Sequence, residues 1–246
     1  MTFRDRFLVR LQYLMGRMAA FLTVPALFLA IRLMGYRIRN LKQVRHEVAD
    51  LQREYQGPWL VCPNHLTMID SALIGYGMMS ISGHILGFRK VPWNLPERDN
   101  FQRSPFLALL CYLVKCLPVN RGGSREELQR VIEKCRFILG KGQNLMIFPE
   151  GGRSRSGRVD RKNYSYGVGR FIDNCPRIRV MLVYFRGDGQ RGYGKMPRYG
   201  ERFTMTVEPF DPGREAVGGL RLQREYAKRI VERLAVLEEV CLASRG

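Results

Sequence analysis

The sequence predicts an α/β domain with a mostly parallel mixed sheet flanked by helices. Short apolar runs bounded by Gly, Pro or Asn are typical of buried strands. Six runs of this kind are residues 58–63, 81–88, 116–119, 144–149, 178–185 and 202–210. Segments with helical apolar spacing lie between several of them. Because strands that alternate with helices favour parallel pairing, we expect one largely parallel sheet.

The clearest helix begins after Ser124, which forms a capping-box pattern with Glu127. Its apolar residues repeat at helical spacing and are Leu128, Val131, Ile132, Cys135, Ile138 and Leu139. Gly140 marks its end. Ser104 and the proline after it predict another helix start. From about residue 220 an apolar stripe predicts a C-terminal helix packed on the domain.

The composition of the 246-residue chain combines a sizeable apolar content with a strong positive charge. Hydrophobic residues make up 46%, which is enough for a packed core, and 41 Lys and Arg against 22 Asp and Glu give a formal charge of +19. Such an excess favours an anionic partner, whether nucleic acid, a membrane surface or a phosphorylated substrate. By composition alone, residues 148–167 fit either an RNA-binding segment or an anion-binding loop at a strand end.

The first 45 residues form a basic and apolar segment. Nine Arg or Lys and one acid, Asp5, surround the uncharged stretch 18–31. This stretch is shorter than the ~20 residues of a spanning helix, and Pro25 interrupts it. We expect a helical hairpin or a pair of helices in a membrane interface, with arginines at the lipid phosphates. A signal peptide, a helix packed on its own domain and a tilted span are the alternatives.

The cysteines and histidines limit metal and thiol chemistry. The six cysteines include no C-x-x-C pair, and the three histidines are His46, His65 and His84. This spacing predicts no metal site. Cys62 is close to His65 in sequence, but it falls inside a predicted strand, which predicts a buried thiol.

The motif with the most specific chemistry is "NHLTMID", residues 64–70, directly after the first predicted strand. If His65 lies in the turn and Thr67 is the N-cap of the next helix, the Asp70 carboxylate reaches a ring nitrogen. A carboxylate that fixes the tautomer makes histidine a general base. The alternative is structural: Thr67 and Asp70 also match a capping box, in which Asp70 serves only the helix terminus.

Two further motifs follow predicted strands. "FPEGGRS", residues 148–154, contains a glutamate, two glycines and an arginine, and "VNRGG", residues 119–123, contains another arginine. Glycines allow backbone N–H groups close to a ligand, and arginine adds a charge for phosphate. Ligands of open α/β sheets bind beyond the carboxyl ends of strands, so we expect the three motifs at one site. The Gly-rich stretch 185–200 predicts a long loop near it.

Together, "NHLTMID", "VNRGG" and "FPEGGRS" resemble three signature blocks of the H-x-x-x-x-D glycerolipid acyltransferases, which include bacterial lysophosphatidate (1-acylglycerol-3-phosphate) acyltransferases. The blocks have the order and spacing of that family. Some details depart from it. Thr67 stands where serine is usual, and Gly152 stands where threonine is common. The family also has a fourth block, a strand that usually contains a proline, and the corresponding strand "RVMLVYF", residues 179–185, has none. The "YFRGDGQ" stretch does not match the lysophosphatidate enzymes, which leaves the acceptor open.

The resemblance implies transfer of a fatty acyl group from acyl-CoA or acyl carrier protein to the hydroxyl of a lysolipid, by default 1-acylglycerol-3-phosphate. The implied catalytic residues are His65 and Asp70, the substrate-binding residues are Arg121, Glu150, Gly151, Arg153 and Ser154, and the supporting residues are Asn64, Thr67 and Gly152. The thioester is a co-substrate, so no cofactor or metal is needed. The expected partners are the lipid acceptor, the acyl donor and an anionic membrane surface on the cytoplasmic side.

The expected organisation is an N-terminal membrane segment (1–45), an acyltransferase α/β domain (46–215) and a C-terminal amphipathic helix packed on it (216–246). Two other functions remain open. One is an enzyme of the same family with a different acceptor, such as lyso-ornithine lipid. The other is a non-catalytic basic protein that binds membranes or RNA, but such a protein has no need for the His–Asp pair, and we expect no nucleic-acid partner.

Overall fold

The computed structural model describes residues 1–101, 104–120, 122–213 and 218–244. The helices in these ranges are α1 (Phe3–Leu33), α2 (Leu41–Glu54), α3 (Asp70–Met78), α4 (Ile81–Leu86), α5 (Arg98–Phe101), α6 (Pro105–Leu113), α7 (Arg125–Gly140), α8 (Gly167–Asn174) and α9 (Leu220–Ala243). The strands are β1 (Arg37–Ile38), β2 (Trp59–Pro63), β3 (Trp93–Asn94), β4 (Leu145–Met146), β5 (Arg179–Gly187) and β6 (Arg202–Phe210).

The strands form one mixed sheet in the order β1-β6-β5-β2-β4-β3. Strands β5 and β6 pair antiparallel, and the other four neighbouring pairs are parallel. The predicted fold class, a mostly parallel mixed sheet flanked by helices, is therefore confirmed. The parallel neighbours β2 and β4 end at the same edge of the sheet, which places the turns that follow them side by side.

The sheet is covered on both faces. Leu60 and Cys62 of β2 pack with helices α7, α8 and α9 in one apolar cluster, while Trp59 and Val61 pack with α1, α2 and α3 in the other. Side chains alternate between the faces of a strand, so a strand buried on both sides must be apolar at every position. This requirement is why continuous apolar runs identified the central strands.

Three predicted strands differ from the structure. Residues 81–88 were expected to be a strand, but Ile81–Leu86 form helix α4, whose N-cap Ser80 accepts the Gly83 N–H at 3.0 Å. A short apolar run fits a buried strand or a buried helix equally well, and here the cap decides. Residues 116–119 form isolated parallel bridges beside β3, and only Leu145–Met146 of residues 144–149 is strand.

The N-terminal segment is one helix, so the predicted hairpin is wrong. Pro25 lies inside α1, which continues for 31 residues. A stripe of α1 from Val9 to Ile31 is buried against the domain on both sides of the proline, and this packing keeps the helix continuous. Within the described ranges, α1 alone is long and apolar enough to cross a membrane. Arg37–Ile38, just after it, pair with β6.

Candidate active site

His65 and Asp70 lie in the turn between β2 and α3. The Asp70 Oδ2 atom is 3.1 Å from His65 Nδ1. The Asp70 side chain is 2% exposed and the His65 side chain 17%. The structure therefore brings together the two residues that the sequence singled out, with the carboxylate buried behind the imidazole and the imidazole reaching the surface.

Asp70 holds the turn and the imidazole ring at the same time. Its Oδ2 accepts the backbone N–H groups of Leu66 at 2.6 Å and Thr67 at 2.7 Å, and its Oδ1 accepts the Thr67 hydroxyl. The sequence predicted Thr67 as the N-cap of α3, and this prediction is wrong. Ile69 occupies the N-cap position, and Asp70 is the first residue of α3. Because Asp70 folds back onto the preceding turn, the same carboxylate both binds the backbone of that turn and contacts the His65 ring.

The imidazole of His65 is fixed from two directions. It stacks on the ring of Phe148, with 4.0 Å between the ring centroids, while Asp70 accepts from Nδ1. A carboxylate that already accepts two backbone N–H groups acts as an ionised acceptor, so we assign the proton to Nδ1. Nε2 has no hydrogen-bond partner among the described residues, which leaves this nitrogen available as a base.

Glu150, four residues after β4, ties the second turn to the first. Its Oε1 accepts the His65 N–H at 2.8 Å, and its Oε2 accepts the Asp160 N–H at 3.3 Å. The Ser154 N–H donates to the His65 carbonyl at 2.9 Å. Both backbone polar groups of His65 are therefore bound by the "FPEGGRS" turn. Burial raises the pKa of Glu150 to about 7, although the two N–H bonds oppose this shift.

Three of the sequence-predicted residues have partners inside the protein. The Gly151 N–H donates to the Phe148 carbonyl in a tight turn whose φ of 67° suits glycine. The Ser154 hydroxyl donates to the Arg158 carbonyl. The Asn64 side chain bonds both backbone groups of Phe185 on β5, at 2.7 and 3.0 Å. In this structure these groups shape the site rather than point at an open position.

A cleft of about 420 Å³ lies beside the second turn. It is lined by Glu150, Gly152, Arg153, Ser154, Arg155, Ser156, Asp160 and Asn163. Arg153 donates to the Gly194 carbonyl at 2.9 Å, and its guanidinium lies 5.6 Å from the Tyr193 ring centroid. The backbone around Gly194 also pairs with that of Leu66 and Thr67. The loop of residues 188–201 therefore borders the site, in agreement with the sequence.

Arg121, the remaining predicted substrate-binding residue, lies outside the described residues. Its neighbour Asn120 donates to Glu127 Oε2 at 3.2 Å, at the start of α7. The segment before it, residues 116–119, lies beside β3 at the same end of the sheet.

The sequence did not single out a buried ion pair behind the second turn. Glu238 of α9 is 3% exposed and accepts from Arg158 Nε at 2.9 Å, the Val159 N–H at 3.2 Å and Arg186 Nη1 at 3.3 Å. Arg186 also donates to the Gly157 carbonyl at 2.5 Å. The sequence feature that could have indicated this ion pair is the position of Glu238 on the otherwise apolar stripe of α9. Because these bonds hold residues 157–159, they support the segment that supplies the Asp160 N–H to Glu150.

The described ranges contain no group of three His, Cys, Asp or Glu residues that could hold a metal ion. Cys62, near His65 in sequence, is fully buried, and burial raises the pKa of its thiol far above the ordinary value. A Cys62 thiolate is therefore a poor candidate for an acyl-accepting nucleophile.

One comparison with known proteins gives a match. The family model described as Acyltransferase matches residues 35–182, more than half of the chain. The matched interval contains both the His65–Asp70 turn and the Glu150–Ser154 turn. A search of curated proteins finds no significant match. The chain therefore belongs to the acyltransferase family, whose members include the glycerolipid acyltransferases.

Proposed function

We propose that this lipid acyltransferase transfers a fatty acyl group from an acyl thioester to the hydroxyl of a lysolipid, and that its default acceptor is 1-acylglycerol-3-phosphate, which yields phosphatidate. The observation that carries the proposal is the buried Asp70 carboxylate 3.1 Å from His65 Nδ1. The backbone of His65 is bound by Glu150 and Ser154, which line a cleft with two arginines. A base beside a cationic cleft suits a hydroxyl acceptor that carries a phosphate.

His65 Nε2 removes the proton of the acceptor hydroxyl as that oxygen attacks the thioester carbonyl. Asp70 keeps the Nδ1 proton in place and stabilises the imidazolium. When the tetrahedral intermediate collapses, the new C–O bond remains, the C–S bond breaks and the thiol leaves with the proton from His65. A thiolate is a stable leaving group, so this step needs no additional acid. Acyl-CoA and acyl carrier protein both supply such a thioester.

The oxyanion of that intermediate needs N–H donors that have no other partner. The N–H groups of His65, Leu66 and Thr67 all donate to carboxylates of the site. The Gly151 N–H donates to Phe148. In the described part of the chain, the N–H groups of Gly152 and the arginine after it have no such partner, so we assign the oxyanion donors to the glycine turn.

The phosphate of the acceptor would lie in the cleft near Arg153 and Arg155. Arginine binds phosphate through paired charge-assisted hydrogen bonds. Arg153 uses one terminal nitrogen for the Gly194 carbonyl, so the other nitrogens of its guanidinium remain for the ligand. Arg121 is the third candidate, as the resemblance implies.

The test is a product analysis with the membrane-reconstituted full chain. Labelled acyl-CoA and labelled acyl carrier protein are each offered with lysophosphatidate, lysophosphatidylethanolamine and lyso-ornithine lipid, and products are identified by mass. We expect phosphatidate as the main product. Preferential acylation of lyso-ornithine lipid would show that the acceptor is this lipid and that the type of reaction is as proposed. The absence of any acylated lipid with every pair of donor and acceptor would refute the proposal.

A further inference from the structure

A second apolar helix adjoins α1 on the outside of the molecule. Helix α6 contains no charged residue. Its outer side chains Phe106, Leu109 and Leu110 are 75%, 52% and 37% exposed. These positions follow helical spacing and therefore form one face. Contiguous exposed apolar surface of this kind is unusual on a soluble monomer and marks an interaction site.

Helix α6 is fixed directly to α1. Gln12 of α1 is buried and donates to the Tyr112 carbonyl at 3.0 Å and the Cys116 carbonyl at 2.9 Å. At Gly16 the helices approach so closely that an added Cβ would lie 2.5 Å from the Leu113 carbonyl oxygen. The exposed apolar side chains of α1 and those of α6 therefore belong to neighbouring parts of one surface, which we call the α1–α6 face.

The packing of α1 argues against a transmembrane orientation. Its buried stripe runs from Val9 to Ile31, a length of about 33 Å at 1.5 Å per residue. This length matches the hydrocarbon thickness of a bilayer. A charged group lies directly under the stripe, because the Arg45 guanidinium is 5.7 Å from the Phe28 ring. A spanning α1 would carry this charge and the attached helices into the hydrocarbon.

The charges on α1 match an anionic lipid surface. Arg4, Arg6, Arg10, Arg17 and Arg32 are exposed, whereas the single acid of α1, Asp5, is only partly exposed. Arginines beside apolar side chains bind lipid phosphates while the apolar groups enter the acyl region.

We propose that α6 joins α1 in a single membrane-contacting face, with which the chain lies in one leaflet of an anionic bilayer. The occupant is the lipid leaflet rather than a protein, because the face combines apolar side chains with exposed arginines and the family acts on lipids. The inference rests on the proposed function only in requiring a lipid substrate, and its test needs no acyl transfer.

The first experiment places a single tryptophan on the face. Phe106→Trp reports α6, Phe21→Trp reports α1, and Val240→Trp on α9 is the matched control at another exposed apolar position. The native Trp59 and Trp93 are buried and give a constant background. With vesicles that contain phosphatidylglycerol, we expect a blue shift and quenching by brominated lipids for Phe106→Trp and Phe21→Trp. An unchanged Phe106→Trp spectrum beside a responsive Phe21→Trp would overturn the role of α6.

The depth of α1 is tested in the same way. Tryptophans at Phe7, Phe21 and Leu29, all exposed, should be quenched by the same bromine position if α1 lies in the plane. A graded depth along the helix would indicate a span and overturn the single-leaflet arrangement.

The second experiment replaces apolar side chains of α6 with charges. Phe106→Glu with Leu109→Glu should weaken flotation with anionic vesicles by about tenfold or more, because the carboxylates oppose insertion and repel the lipid. Leu220→Glu with Val240→Glu on α9 is the control and should float like the wild type. Circular dichroism checks folding. Wild-type flotation of the folded α6 variant would overturn the proposal. If the α6 variant loses flotation but still transfers acyl groups to detergent-dispersed lysolipid, the result supports the membrane role of α6 independently of the proposed function.

Discussion

The turns after β2 and β4 stand side by side but are built differently. The first runs over the six residues from His65 to Asp70 and directs two of its backbone donors onto one buried carboxylate. The second leads through a glycine turn into a long basic segment that borders a cleft. The first arrangement holds one ring in one orientation, whereas the second offers cationic side chains over a wider surface.

Under the proposed function, this difference separates the chemical step from recognition of the acceptor. A general base must be held within a fraction of an ångström and in one tautomer, and satisfied buried hydrogen bonds provide that rigidity. Recognition of a headgroup needs charge and space more than a single geometry. The comparison predicts that substitutions in the first turn lower kcat, while substitutions in the second turn raise KM for the acceptor.

The largest effect is expected for His65→Ala. Loss of the base should lower kcat by about a thousandfold, within the range for general-base catalysis. Steady-state acyl transfer measures this loss. The chain offers a matched control, because His46 also lies beside an aspartate, with His46 Nε2 3.5 Å from Asp50 Oδ2, on the surface of α2. His46→Ala should keep wild-type transfer. Retained acyl transfer in His65→Ala would show that the first turn does not supply the general base.

The sequence predicted this turn better than the second one, for physical reasons. The pairing of His65 with Asp70 depends on six residues of local backbone, and the strand before them is recognisable by its continuous apolar run. The partners of the second turn are distant: Glu238 is 80 residues from Arg158, and Gly194 is 41 residues from Arg153. Hydrogen bonds over such separations follow from the assembled sheet and leave no local pattern.

The next effect is expected for Asp70→Asn. The amide keeps the shape, but its NH₂ group faces donors where a carboxylate oxygen accepted them, and it no longer stabilises the imidazolium. We expect kcat to fall about a hundredfold and the free energy of unfolding to fall by about 1–3 kcal/mol. Asp50→Asn on α2 is the control for both measurements. A variant with lowered stability but normal kcat would assign Asp70 to the turn alone.

A smaller and different effect is expected in the second turn. Arg153→Ala removes a charge from the cleft and the bond to the Gly194 carbonyl, so KM for the phosphorylated acceptor should rise about tenfold while kcat changes little. Arg179→Ala, at the amino end of β5 and therefore at the opposite edge of the sheet, is the control. If Arg153→Ala lowers kcat at unchanged KM, the division between the two turns does not hold.

The last effect concerns stability rather than turnover and tests Glu150, which joins the two turns. Its pKa is raised by burial from 4.5 to about 7, so the folded chain holds a proton that the unfolded chain has released between these pH values. The free energy of unfolding should therefore fall as pH rises through this window, by up to about 3 kcal/mol. Urea unfolding at several pH values should show this decline in the wild type. The same decline should persist in Glu239→Gln, which replaces an exposed glutamate on α9. Glu150→Gln cannot titrate and should lose it. An equal slope in Glu150→Gln would mean that Glu150 does not titrate in this window and that another group causes the decline.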